Sequence, residues 1–101
     1  MTDRDILIDI NILLNVSAST TERLNAIHNV VNQNSEIVVG SLLQIAQSED
    51  NKEVSYATGW AIAEILLRKG VVLEVPLAQF NGEAYLGFDE AVTYHSKPTS
   101  S

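Results

Sequence analysis

The chain has 101 residues, which is enough for one hydrophobic core but leaves little room for a separate catalytic cleft. Hydrophobic residues make up 46% of the chain and aromatic residues only 6%, a composition typical of a helical core built from Ile, Leu, Val and Ala. Thirteen acidic residues against six basic ones give a net charge of -7, which argues against direct nucleic-acid binding, and the lack of cysteine excludes disulfides and thiolate metal sites.

Apolar periodicity and helix-capping signals predict four helices, near residues 3–16, 20–33, 35–48 and 51–69. The second helix opens with a capping box, in which Ser19 and Glu22 satisfy each other's backbone N–H groups. The fourth begins behind Asp50 or Asn51 and ends at Gly70, because glycine readily takes the left-handed conformation of a helix C-cap. The short break before the fourth helix predicts an antiparallel pairing with the third.

Two of these helices carry apolar or small residues on more than one side. In the fourth, Gly59 and Ala61 predict tight contacts with neighbouring helices, and a leucine at either position should overpack the core at a cost of about 1 to 3 kcal/mol. In the first, Ile8 and Ile12 lie outside the main apolar stripe. They either contact a second element or remain as apolar surface for a partner, and we expect internal packing.

The segment at residues 71–88 has a different character. A β-branched run ended by Pro76 is typical of an extended segment, and the following Asn81 and Gly82 form the strongest hairpin dipeptide in the chain. A β-hairpin after the four helices is therefore one of two interpretations of this segment.

A second interpretation fits the same segment. It places a short helical turn near residues 77–80 and a last helix from about Asp89 to His95, and periodicity does not separate it from the hairpin. In both cases we expect a single, mainly α domain over residues 1–95, with an extended, hairpin or short-helix C-terminal segment and a flexible polar tail at 96–101.

The stretch DNKEVSYATGWAIAEI at residues 50–65 resembles the HEAT repeat, in which an acidic or amidic turn leads into a helix with a valine, paired alanines and a closing isoleucine. The pair Ala26-Ile27 recurs thirty-five residues later as Ala61-Ile62, close to the length of such a repeat. The resemblance implies stacked antiparallel helix pairs and partner binding, with neither catalysis nor a cofactor. The residues that match the family's core-helix positions are Asp50, Val54, Ala57, Ala61, Ile62 and Ile65.

No motif for catalysis or metal binding stands out in the chain. The two histidines, His28 and His95, are far apart and lack spaced partner ligands. The serines lack a glycine-flanked nucleophile elbow, and the dispersed glycines form no phosphate-binding loop. The sequence therefore predicts a protein that is not an enzyme and that holds no metal or cofactor.

Acidic and aromatic residues are the candidates for contact with a protein partner. The C-terminal segment combines carboxylates, which steer a basic partner, with aromatic rings that supply contact area. On the fourth helix, two rings one turn apart form a second candidate surface. The predicted partner-binding residues are Glu74, Glu83, Asp89 and Glu90 with Tyr85 and Phe88 between them, and Tyr56 with Trp60.

In compactness and acidity the chain is also similar to the bacterial immunity proteins that accompany contact-dependent inhibition toxins. That resemblance implies a monomer that neutralises a basic toxin nuclease by occluding its active site. The alternative is a HEAT-like adaptor that binds a partner without inhibiting it. The first apolar run contains Asp9 and has no basic flank, and no stretch approaches the length of a membrane span, so we expect a cytoplasmic protein.

Overall fold

The computed structural model describes residues 3–33, 36–70 and 77–96. These residues form five α-helices, preceded in one case by a short 3-10 turn, and contain no β-strand. The mainly α fold predicted from the sequence is therefore confirmed. The helices are α1 (Asp3–Leu14), α2 (Thr20–Val30), α3 (Glu36–Ser48), α4 (Lys52–Lys69) and α5 (Gly82–Ser96), and the 3-10 turn is Leu77–Gln79.

The predicted helix boundaries depend on local capping bonds, and these are present. The Ser19 hydroxyl accepts a hydrogen bond from the Glu22 backbone N–H, and the Glu22 carboxylate accepts one from the Ser19 N–H, which completes the capping box of α2. Asn51 is the N-cap of α4. Gly70 ends α4 with φ of 74°, the left-handed conformation that glycine adopts without a steric penalty.

The first four helices form two antiparallel pairs. In the first pair, the Arg23 guanidinium donates to the Leu13 carbonyl near the end of α1, while the Asn29 side chain donates to Asp9 further back along the same helix. Later residues of α2 thus contact earlier residues of α1, so the two helices run antiparallel. Helices α3 and α4 are joined by residues 49–51 alone, and such a short connection turns the chain back on itself.

The two pairs stack with α2 beside α4. At the start of both helices the Asn51 amide donates to the Thr20 hydroxyl at 2.9 Å, and at their far ends the Arg68 guanidinium donates to the Val31 carbonyl at 2.7 Å. Contacts at matching ends show that α2 and α4 are parallel. Helix α4 is the centre of the domain, since it packs against α2, α3 and α5. Fully buried side chains from the five helices include Leu13, Val30, Leu42, Ile62 and Ala84.

The predicted hairpin at Asn81 and Gly82 is wrong, because Asn81 is the N-cap of α5. Its side-chain oxygen accepts a hydrogen bond from the Ala84 N–H at 2.9 Å. Its amide group donates to the Glu49 carbonyl and the Ser55 hydroxyl, so the cap also ties α5 to the start of α4. The alternative of a short turn and a last helix is correct in kind, but the helix begins at Gly82 rather than near residue 89.

Replacing Asn81 with alanine should lower the free energy of unfolding by about 1 to 3 kcal/mol, because the change removes a helix cap together with the amide's hydrogen bonds to the Glu49 carbonyl and the Ser55 hydroxyl. Urea denaturation measures the difference. Asn25→Ala is the matched control, since Asn25 is exposed on α2 and alanine favours the helix. An Asn81→Ala protein as stable as wild type would contradict the capping role.

Helix α5 lies unusually close to α4, and two glycines make this possible. A Cβ atom on Gly59 would stand 1.9 Å from the Ala84 carbonyl oxygen, and one on Gly87 would stand 2.1 Å from the Tyr56 carbonyl oxygen. Each helix therefore presents a glycine to the backbone of the other. The tight contact predicted for Gly59 is confirmed, and Ala61 is buried as well, with 3% of its surface exposed.

The internal packing expected for Ile8 is wrong. Ile8 is 51% exposed and its neighbour Leu7 is 49% exposed, because α1 packs its Ile6, Ile10 and Leu13 side against the other helices. Ile12 is partly buried against the core. None of the helices in the described ranges has the length and apolar character that a bilayer-spanning segment needs.

Candidate functional site

Tyr56 and Trp60 lie one turn apart on the outer side of α4, with ring centroids 6.3 Å apart. Both rings are half-buried, so each has one protected and one accessible side. Their polar atoms are held in place. The Tyr56 hydroxyl donates to the Glu90 carboxylate of α5, and the Trp60 indole N–H donates to Glu64 Oε1 at 2.7 Å. The two rings are therefore fixed by carboxylates that themselves face solvent.

Helix α5 adds a third ring to this pair. The centroids of Tyr94 and Trp60 are 5.9 Å apart, and Tyr94 is 63% exposed. His95 follows on the same helix, edge-on to Tyr94, with its Nε2 atom 3.6 Å from Glu64 Oε1. The aromatic group thus spans both helices.

Helices α4 and α5 run parallel, since Ser55 near the start of α4 contacts Asn81 at the start of α5, and Trp60 further along α4 contacts Tyr94 further along α5. This parallel course explains the arrangement of the rings. Because the glycine contact holds the two helices close together, residues one turn apart on α5, Glu90 and Tyr94, come beside residues one turn apart on α4, Tyr56 and Trp60. We call the resulting surface the acidic aromatic face. It consists of Tyr56, Trp60, Glu64, Glu83, Asp89, Glu90 and Tyr94.

Two depressions flank Trp60 on this face. One is a mostly apolar groove of about 370 Å³ between α2 and α4, with Leu24, Ile27 and Val31 on its α2 side and Glu64 at its edge. The other, of about 380 Å³, is bordered by Trp60 and by Asp89, Glu90, Thr93 and Tyr94 of α5. The indole of Trp60 is thus accessible from both sides, with a carboxylate near each.

The acidic aromatic face carries negative charge, and a hydrogen bond holds one of its carboxylates, Glu90, in place. The pKa of the Tyr56 phenol is raised, chiefly because its hydroxyl donates a hydrogen bond to the Glu90 carboxylate. Burial of the phenol and the negative charge of Glu90 raise this pKa further. Tyr56 therefore stays a neutral donor around physiological pH and holds Glu90 in place. A positively charged group approaching this face would meet carboxylates already oriented toward it.

The structure brings together five of the eight residues predicted to bind a partner: Tyr56, Trp60, Glu83, Asp89 and Glu90. Glu83 borders a further depression next to Tyr56, and Asp89 and Glu90 border the one next to Trp60. The two candidate surfaces inferred from the sequence are therefore parts of one face.

The other three predicted residues are placed differently. Phe88 was wrong as a surface anchor, because it is 3% exposed and packs edge-on against Phe80 in the core. Tyr85 is 48% exposed and lies one turn before Asp89, but it borders neither of the two depressions beside Trp60. Glu74 lies outside the described residues.

Sequence reasoning did not assign Glu64 and Tyr94 to the site. Both could be found from spacing, since Glu64 follows Trp60 by four residues and Tyr94 follows Glu90 by four. That spacing indicates shared helix faces, although it does not show that the two faces meet.

Fold and face together define a small, mainly α protein with an acidic, aromatic surface. No protein-family model, curated protein or solved structure matches the chain. The resemblances to HEAT repeats and to immunity proteins therefore remain predictions.

Proposed function

We propose that the protein binds a basic partner protein through the acidic aromatic face, and that the partner is a toxin nuclease whose active site it occludes. One observation carries the proposal: three accessible rings, Tyr56, Trp60 and Tyr94, are interleaved with carboxylates on two rigid helices. Aromatic anchors surrounded by charge are the usual composition of a tight protein interface.

A nuclease is the partner class that fits the charge best. Its active-site groove is positively charged because it must accept a phosphate backbone. The carboxylates of Glu83, Asp89 and Glu90 would take the place of those phosphates, while the rings would exclude water from the contact. Binding of this kind both places the inhibitor over the groove and speeds its association.

The direct test is binding to the toxin domain encoded by the neighbouring gene, measured together with residual nuclease activity. We expect wild type to bind and inhibit, and association to slow as salt is raised. The triple variant Glu83→Gln, Asp89→Asn, Glu90→Gln should associate at least about tenfold more slowly at low salt, because it loses the charges that steer the encounter.

A charge-matched control distinguishes the effect of the carboxylates on the acidic aromatic face from the effect of the protein's net charge. The variant Glu22→Gln, Glu36→Gln, Asp50→Asn also removes three negative charges, all at exposed positions away from the face, and glutamine can still complete the capping box at residue 22. It should associate nearly as fast as wild type. Equal losses in both variants would exclude the face as the contact surface.

Three further outcomes would contradict the proposal. They are a locus without a toxin gene, no binding to the toxin domain, and binding that leaves nuclease activity intact. The last would favour an adaptor that docks the partner without inhibiting it.

A further inference from the structure

The depression on the α5 side of Trp60 has walls of two chemical kinds. The rings of Trp60 and Tyr94, tilted by 48° to each other, form one side. The consecutive acidic residues Asp89 and Glu90 form another, and Thr93 adds a hydroxyl. Among the residues that the structure describes, none that borders it is basic. We call this depression the Trp60-Tyr94 site.

We propose that the Trp60-Tyr94 site binds the guanidinium group of an arginine side chain of the partner. The inference rests on the proposed function for its biological setting, and it names the chemical group that the acidic aromatic face recognises. Two carboxylates attract a positive charge, and the faces of aromatic rings attract the same charge through their π electrons.

The aromatic walls decide between kinds of cation. A calcium or magnesium ion takes six or more oxygen ligands, and rings supply none. A guanidinium group is planar and weakly hydrated, so it can stack on an indole or phenol ring while its N–H groups bond to a carboxylate. A lysine ammonium group is strongly hydrated and makes no such planar contact. The combination of walls therefore favours arginine.

The site is also organised before a ligand arrives. The Glu90 carboxylate is held by the Tyr56 hydroxyl, and the Trp60 indole is held by Glu64. Side chains that are already fixed lose little conformational entropy on binding, which strengthens the complex.

The protein carries its own reporter for this site, because Trp60 is its single tryptophan. Its fluorescence can be followed while a blocked Gly-Arg-Gly peptide is added, with blocked Gly-Lys-Gly and Gly-citrulline-Gly peptides as comparisons. Citrulline has nearly the shape of arginine and no charge. We expect a saturable change with arginine, binding at least about fivefold weaker with lysine, and no saturation with citrulline.

Substitutions at Asp89, Glu90 and Tyr94 test whether these side chains bind the arginine peptide. Asp89→Asn with Glu90→Gln should weaken binding of the arginine peptide at least about tenfold, because the amides keep the shape of the site and lose its charge. Glu36→Gln with Asp50→Asn removes the same charge elsewhere and should bind as wild type does. Tyr94→Leu, at an exposed position, should reduce the preference for arginine over lysine.

The arginine site would be overturned by equal responses to all three peptides, by no saturable change up to about 10 mM arginine peptide, or by unchanged binding in the Asp89, Glu90 variant. Its failure is distinct from that of the proposed function. A toxin domain that is bound and inhibited, without any arginine response, would reject the site alone. The expected peptide responses without toxin binding would reject the function alone.

Discussion

Replacing Gly59 with alanine should lower the free energy of unfolding by about 3 kcal/mol or more, at or above the upper end of the usual range for overpacking. The added methyl group would stand 1.9 Å from the Ala84 carbonyl oxygen and 2.9 Å from the Phe88 backbone nitrogen. These are backbone atoms, which cannot move aside by changing a rotamer. Helix α5 must therefore shift away from α4, and contacts along the whole interface weaken together.

Gly40 provides a control of the same chemical change. It lies within α3, it is exposed, and a Cβ there would meet no atom of the described residues within 4 Å. Alanine at this position should raise stability by about 0.5 to 1 kcal/mol, since it restricts the unfolded chain and favours the helix. Urea denaturation of the two variants compares them directly. A Gly59→Ala protein that matches Gly40→Ala would contradict the close approach of α4 and α5.

The same substitution connects the fold to the site. If α5 moves outward, Glu90 and Tyr94 move away from Tyr56 and Trp60. The Gly59→Ala protein, measured at a temperature where it remains folded, should then lose its fluorescence response to the arginine peptide. Gly59 and Gly87 thus determine how closely the α4 and α5 halves of the acidic aromatic face approach each other.

The parts of this fold that could be predicted from sequence depend on local interactions. The capping box at Ser19 and Glu22 and the left-handed Gly70 involve residues within a turn of each other, so the sequence shows both partners at once. Helices α1 to α4 were predicted near their observed positions for the same reason.

Helix α5 could not be placed reliably because its start depends on distant partners. Asn81 followed by glycine favours a hairpin locally, but the Asn81 amide group donates to Glu49 and Ser55, and its N–H donates to the Ala46 carbonyl. These contacts to α3 and α4 favour the capping geometry over a turn. Tertiary structure here overrides a local preference.

The error at Phe88 follows from the same cause. Once α5 begins at Gly82, helical spacing puts Ala84, Phe88 and Ala91 on one face, and that face is the one that packs against α4. Tyr85 is then turned away. The sequence shows that Tyr56 and Trp60 share one side of α4 and that Glu90 and Tyr94 share one side of α5. It does not show that the two sides face each other, because that depends on the parallel packing of α4 and α5.

Arg23 joins three helices, and its loss should be as damaging as that of Gly59. Its side chain is buried, with 2% of the residue exposed. The Nε and Nη2 atoms donate to the Leu13 carbonyl at 3.0 and 2.9 Å, which caps the end of α1, and the guanidinium forms an ion pair with Glu49 after α3. Replacing Arg23 with methionine should lower the free energy of unfolding by about 3 to 5 kcal/mol, because it leaves the partly buried Glu49 carboxylate without its counter-charge and the Leu13 carbonyl without its two donors.

Two comparisons show whether the ion pair causes this loss. Arg4→Met removes an exposed arginine from α1 and should change stability by less than about 0.5 kcal/mol. Combining Arg23→Met with Glu49→Leu removes both charges, and this double variant should be more stable than Arg23→Met alone. If the double variant is less stable, the lost hydrogen bonds to the Leu13 carbonyl rather than the unpaired charge are responsible.

The pH dependence of stability gives a separate test of the same pair. The hydrogen bond from Arg23 holds the pKa of Glu49 below its ordinary value of 4.5, a shift that partial burial opposes and the Asn51 N–H supports. The folded protein therefore binds fewer protons at Glu49 than the unfolded chain does. The stabilisation is present above pH 4.5 and is lost as pH falls through the lower, folded pKa. Urea denaturation from pH 7 to pH 3 should show this loss in wild type and in Arg4→Met, and a much weaker loss in Arg23→Met. Parallel pH profiles for all three proteins would mean that Arg23 does not control the ionisation of Glu49.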